Sequence, residues 1–231
     1  MKFDIITIFP DIVKSYLSVG VLGRAINLKE SLSVNIWNPR DFTSNKHLKV
    51  DDTPYSGGAG MILQIEPIYN TLSHIIEQNP DTKKNVVFFK AGGQIFNQKK
   101  AFQYLQDFDQ IIMICGRYEG VDYRVEQFLS NESLSIGEFV LTGGELPAMV
   151  VLDTIARYIP NVLGNIESLK EESHSIEKFL EYPQYSKPNK FIPQNPNLIK
   201  PSPTEWDVPE VLYSGNHQAI KNWKEKNSNQ N

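Results

Sequence analysis

Short apolar runs alternate along the chain with stretches that carry helix formers, and glycines punctuate the joins. Residues 2–8 (KFDIITI) alternate and are rich in isoleucine, and Phe9-Pro10 then stops the run, which predicts a strand feeding a helix over 11–28. A second apolar run over 32–37 ends before Pro39. Residues 85–90 (NVVFFK) predict a strand, Gly92-Gly93 a turn, and 98–105 a helix; the unit repeats with a strand over 110–115 and a helix over 121–129. A last strand is expected over 133–141, broken by Thr142-Gly143-Gly144, before a long, largely apolar helix over 145–158. Strands alternating with helices imply an α/β fold whose sheet is mostly parallel and covered on both faces.

Beyond Pro160 the pattern changes. Residues 164–175 are polar and without a period, which reads as a linker; six prolines then fall between Pro183 and Pro203 and forbid a long helix there, whereas 209–226 reads as helical. The final Asn/Gln/Ser-rich residues are expected to fray.

At 231 residues the chain is long enough for one large domain or two modest ones with a core that needs no staples, and 40% apolar with 22% charged residues is ordinary globular usage. A single cysteine, Cys115, excludes an internal disulfide and a multi-cysteine zinc site and fits a reducing compartment, so the cytoplasm is expected. No run of about 20 apolar residues exists and the first ten residues lack a signal-peptide pattern, so no membrane segment is expected. The formal charge of −4 argues against a generally basic nucleic-acid binder, and the stretch from residue 164 on, with 8 Lys, no Arg and 9 acidic residues, is not a basic arm.

Candidate chemistry lies in four glycine-containing loops, at 54–60, 91–93, 115–120 and 141–145. Three follow strand-like runs, and in an open α/β sheet the strand carboxyl ends are where ligands bind. Neither dinucleotide nor P-loop glycine motifs occur, His47, His74, His174 and His217 are scattered, no zinc spacing is present, and the hydrolase Gly-x-Ser-x-Gly elbow is missing. No metal site is therefore assigned.

The strings 52–61 (DTPYSGGAGM), 114–122 (ICGRYEGVD), 135–147 (SIGEFVLTGGELP), 162–165 (VLGN), 181–185 (EYPQY) and 209–217 (PEVLYSGNH) resemble, in order and spacing, the bacterial tRNA (guanine-N1)-methyltransferase family of the SPOUT class. The resemblance covers nearly the whole chain. It implies a SPOUT-type, mostly parallel sheet with a deep C-terminal trefoil knot and a small helical C-terminal domain. The divisions would be 1–163 as knotted S-adenosylmethionine-binding catalytic domain, 164–175 as interdomain linker and 176–231 as tRNA-binding domain. It further implies methyl transfer from S-adenosylmethionine to N1 of the guanine just 3′ of the anticodon, position 37, which maintains reading frame. A homodimer with active sites at the subunit interface is implied as well, with Mg²⁺ as an accessory known only from the family.

Carried over residue by residue, the donor pocket comprises Gly116, Tyr118, Glu119 and Gly120, then Ser135, Ile136, Gly137, Glu138, Phe139, Val140 and Leu141, with Gly143, Gly144 and Pro147 behind them. Phe139 replaces the Tyr common in the family, and Lys90-Ala91-Gly92-Gly93 stands where Ser-Pro-Gln-Gly is usual. Guanine N1 carries a proton that must leave before the nitrogen can attack, so a carboxylate near N1 and a cation near O6 are required. Glu172 and Arg157 fit these roles by position, although most relatives carry Asp at the base. By composition alone Glu172 reads as a solvated charge in an acidic run and Arg157 as a surface or ion-pair residue. Asp51, Asp52 and Tyr55 are expected on the guanine side, with Asp52 equally suited to cap its own turn. RNA affinity is expected from local clusters: Lys46 and Lys49, Lys83 and Lys84, and Lys187, Lys190 and Lys200 near Tyr185 and Phe191. The competing readings are a catalytically silent tRNA-binding or S-adenosylmethionine-sensing module and a ribose-methylating relative.

Overall fold

The computed structural model describes residues 1–28, 31–55, 57–164, 169, 172–175 and 179–228. Half of the expected linker, and the last three residues of the end expected to fray, fall outside the described residues. The chain divides into two compact units, Met1–Ile166 and Glu167–Asn231.

The first unit is built on a five-stranded sheet. Its strands are β1 (Lys2–Ile6), β2 (Ser33–Trp37), β5 (Lys84–Ile95), β6 (Gln110–Ile114) and β7 (Glu132–Ser135), in the spatial order β2-β1-β6-β5-β7 and parallel throughout. Continuous apolar runs suit such strands because helices cover both faces. In β6, Ile111 and Met113 point into one core and Ile112 and Ile114 into the other. The first core takes side chains from α1 (Pro10–Leu17), α2 (Gly20–Leu28), α4 (Gln98–Asp107) and α6 (Glu145–Ala156); the second takes them from α3 (Ile65–Gln78) and α5 (Tyr123–Leu129). A short antiparallel pair, β3 (Asp51–Asp52) and β4 (Ile62–Leu63), flanks the sheet.

The first unit departs from the sequence reading in four places. The helix expected over 11–28 is two helices, because Gly20 adopts φ +67° and turns the chain after Ser18. The strand expected over 133–141 ends at Ser135, and the apolar residues after it are irregular. β5 is longer than expected but its pairing with β7 slips between Phe89 and Gln94, so residues 90–93 leave the ladder. Helix α3 had no counterpart in the sequence reading, although Ile65, Ile68, Leu72 and Ile75 follow a helical period.

The second unit carries, among its described residues, a two-stranded ladder of β8 (Lys190–Phe191) with β9 (Trp206–Asp207), a 3-10 turn at Glu210–Tyr213, and helix α7 (His217–Asn227). The helix expected over 209–226 is thus interrupted, by Gly215 at φ +75° and by Asn216, whose side chain caps α7 through the Ala219 amide.

Candidate functional site

At the carboxyl ends of β6 and β7 the chain leaves the sheet in two irregular segments, and between them and the slipped middle of β5 lies an open cleft of about 220 Å³. Phe88, Phe89, Lys90 and Ala91 form one wall, residues 116–120 a second, and Ser135, Ile136 and 139–144 a third, with Pro147 of α6 behind. Of the residues assigned from sequence, Gly116, Tyr118, Glu119, Gly120, Ser135, Ile136, Phe139, Val140, Leu141, Gly143, Gly144 and Pro147 meet here. Gly137 and Glu138 are not among the lining residues; Gly137 forms the tight turn that swings Phe139 round, its amide and carbonyl both bonded to the Ser135 hydroxyl.

The walls are held by close backbone approaches. A Cβ on Gly144 would sit 2.7 Å from the Cα of Cys115, and the Gly144 amide donates to the Gly116 carbonyl at 3.0 Å. A Cβ on Gly93 would sit 2.5 Å from the Leu134 carbonyl carbon, so glycine alone lets the detour at 90–93 rejoin β7. Tyr118 takes φ +61°, a strained setting for a non-glycine residue, and its ring is half exposed at the cleft. The 116–120 loop is tied to the β3–β4 pair through Glu119 N–H to the Met61 carbonyl, 3.0 Å, and Leu63 N–H to the Gly120 carbonyl, 3.0 Å.

Lys90, Arg117 and Thr142 line the cleft without having been assigned to it from sequence. Arg117 and Thr142 sit inside the two strings that supplied the other walls, so their placement was available from their neighbours. Lys90 is paired with Glu126 of α5, whose carboxyl is held below the usual range chiefly by that hydrogen bond. Beneath the cleft Cys115 is buried; desolvation pushes its thiol well up and the nearby Glu145 carboxylate adds to this, so it is an inert core group.

Arg157 does not line this cleft. It follows α6 as its C-cap and borders a separate depression, of about 320 Å³, with Tyr16, Leu146, Val150 and Asp153. Glu172 belongs to the second unit, half-buried, where its carbonyl accepts from the Ser175 amide at 3.1 Å. Asp52 caps its own turn, accepting from Thr53 N–H at 2.8 Å, and Tyr55 is fully exposed. In the second unit Tyr182 and Tyr185 pack edge-on against Trp223, while Lys190 is paired with Glu205 at 2.5 Å. Among the described residues no three His, Cys, Asp or Glu side chains are grouped to hold a metal ion. No helix among them is long and apolar enough to cross a membrane.

Comparison with known proteins was consistent along the entire chain. The family model described as tRNA (Guanine-1)-methyltransferase TrmD matches residues 1–231. A tRNA (guanine-N(1)-)-methyltransferase of Gloeothece citriformis is 45% identical over 98% of this chain and 90% of its own length. One of Clostridioides difficile is 43% identical over 99% and 92%. The crystal structure of tRNA (m1G37) methyltransferase from Aquifex aeolicus superposes with a TM-score of 0.74 at 32% identity, covering 97% of this chain and 87% of that one.

Proposed function

The chain belongs to the tRNA (Guanine-1)-methyltransferase TrmD family, and from that premise we propose that it transfers a methyl group from S-adenosylmethionine to N1 of guanine 37 in tRNA. The observation that carries the reading is that two segments with the family's strings, within 114–122 and 135–147, line one cleft together with residues 88–91 of β5.

The cleft suits the donor chemically. Gly116, Gly120, Gly143 and Gly144 offer backbone groups without side chains in front of them, and Tyr118 and Phe139 offer aromatic faces to a purine. When bound, S-adenosylmethionine supplies an electrophilic methyl on a sulfonium. The chain's own task is to make guanine N1 a nucleophile. In the proposal the Glu172 carboxylate accepts the N1 proton, and the Arg157 guanidinium stabilises the negative charge that develops on O6. The extra methylene of Glu over Asp lengthens the arm that must reach N1.

Arg157 borders the α6 depression rather than the cleft of its own chain, and Leu146 and Val150 leave apolar surface beside it. This supports a homodimer in which the α6 face meets a second copy and each active site draws on both. The segment after β7, which lies against Cys115 and Gly116, is proposed to complete a deep trefoil knot. In domain terms, 1–163 binds the donor, 164–175 connects, and 176–231, a small helical domain, meets tRNA in the cytoplasm.

The test is incubation with methyl-labelled S-adenosylmethionine and a tRNA bearing guanine 3′ of the anticodon. Label on N1 is expected. Label on a ribose 2′-hydroxyl, or none, overturns the proposal.

A further inference from the structure

At the edge of the cleft, side chains from the segments that follow β1, β6 and β7 close into a ring. The Thr7 hydroxyl, just past β1, donates to Glu145 Oε1 at 2.6 Å and accepts the Phe9 amide at 2.9 Å. Arg117 Nε, past β6, donates to Glu145 Oε2 at 2.8 Å, and its Nη1 donates to the Thr142 carbonyl at 3.2 Å. The guanidinium lies 4.8 Å from the centre of the Phe9 ring, which completes the circuit. Thr7 and Glu145 are each only 1% exposed.

The ring's position matters more than its strength. Arg117, Thr142, Gly143 and Gly144 line the cleft, whereas Glu145 does not. A Cβ on Gly143 would lie 2.3 Å from Arg117 Nε and 2.6 Å from Glu145 Oε2, so the ion pair lies against the backbone of the 142–147 wall and joins to it Arg117 of the 116–120 wall. A buried carboxylate is costly unless its partners are well placed, so Glu145 locks Arg117 in one orientation or loses its compensation.

We propose that Glu145, braced by Thr7, is a positioning residue for methyl transfer. Through Arg117 it fixes the 116–120 wall against the 142–147 wall, and so sets the shape of the donor cleft. The inference rests on the reading of that cleft as the donor site.

The test uses the full chain with Glu145→Gln, Thr7→Val and Thr7→Ser. Donor binding is read by calorimetry, tRNA binding by filter retention, and the donor KM and kcat from initial rates. Glu145→Gln and Thr7→Val are expected to raise the donor Kd and donor KM by about tenfold to a hundredfold. Their tRNA Kd should match the parent's, and Thr7→Ser, which keeps the hydroxyl, should restore donor binding. Arg117→Lys, which keeps the charge but not the planar fork, should resemble Glu145→Gln. Parent-like donor binding in folded Glu145→Gln and Thr7→Val overturns the proposal. So does parallel loss of donor binding, tRNA binding and thermal stability, which marks a merely structural ring. A parent chain that binds no donor and transfers no methyl sinks the functional reading and the proposal together, and is thereby told apart from failure of the ring alone.

Discussion

The two units are held together in different ways. In Met1–Ile166, Phe3, Ile5 and 111–114 are essentially inaccessible, and each such side chain contributes about 1.5–3 kcal/mol when fully buried. From residue 167 on, none of the described residues is buried. That unit relies on ring contacts such as Phe191 with Trp206, on Lys224 over Tyr182, and on exposed ion pairs, each worth little. A donor cleft needs walls fixed to within an ångström, and only a two-sided core supplies them. A surface that meets RNA can stay open, because the partner completes its burial. The proposed chemistry draws on both, with the cleft in one unit and Glu172 in the other.

Replacing Glu172 with Gln should part the two contributions most sharply. Loss of a general base lowers kcat by about 10²–10⁴, while the donor Kd, set by the first unit, stays at the parent value. Single-turnover transfer and calorimetry on the same preparation check this; unchanged turnover removes Glu172 from the mechanism and leaves the cleft without its acid–base partner.

Hydrogen exchange tests the contrast in burial directly. Amides of β1 and β6 should exchange slower than those of α7 by on the order of a hundredfold or more, since a thin surface unit opens locally at little cost. Added tRNA is expected to slow α7 and to leave β6 as it was. Equal protection in the free chain would erase the distinction.

A smaller effect is expected from salt. If about three phosphates are neutralised, a fourfold rise in ionic strength weakens tRNA binding about twentyfold, and donor binding far less. Lys190 is already paired with Glu205, so Lys190→Ala should change the slope less than Lys187→Ala. Filter retention across a salt series measures both.

These contrasts were unequally legible in the sequence. The parallel sheet followed from apolar runs bounded by glycine, and the cleft from strings at the strand ends. The run 136–141 misled because its residues are apolar for another reason: Phe139 and Val140 stay exposed, lining a cleft rather than pairing in a sheet. Helix α3 carried a readable period and was missed. The break at Gly20 depended on a backbone φ that composition does not reveal. Thr7 and Glu145 are 138 residues apart, so no local pattern joins them. The negative net charge pointed away from RNA because a sum over the chain says nothing about where lysines and aromatic rings face.

The smallest expected effect concerns acid stability, and it should touch the first unit alone. Glu132, at the start of β7, accepts hydrogen bonds from Asn85 at 2.7 Å and from the Tyr104 hydroxyl, and pairs with Lys100 at 2.6 Å. Burial alone raises its carboxyl, but the Lys100 hydrogen bond, with those of Tyr104 and Asn85, outweighs burial and holds it below the ordinary 4.5. A carboxyl with a depressed folded value contributes its full stability above the unfolded value and loses it as pH falls through the folded one. The sheet transition should therefore lose stability below about pH 4.5, with Glu132 supplying part of the loss. In Glu132→Gln the melting temperature at neutral pH should fall by about 2–4 °C for each kcal/mol removed, and its acid limb should be flatter than the parent's. Calorimetric melts from pH 7 downward give both quantities. An acid limb as steep in the variant as in the parent would shift the acid-labile group elsewhere and leave the Lys100–Glu132–Tyr104 cluster as packing.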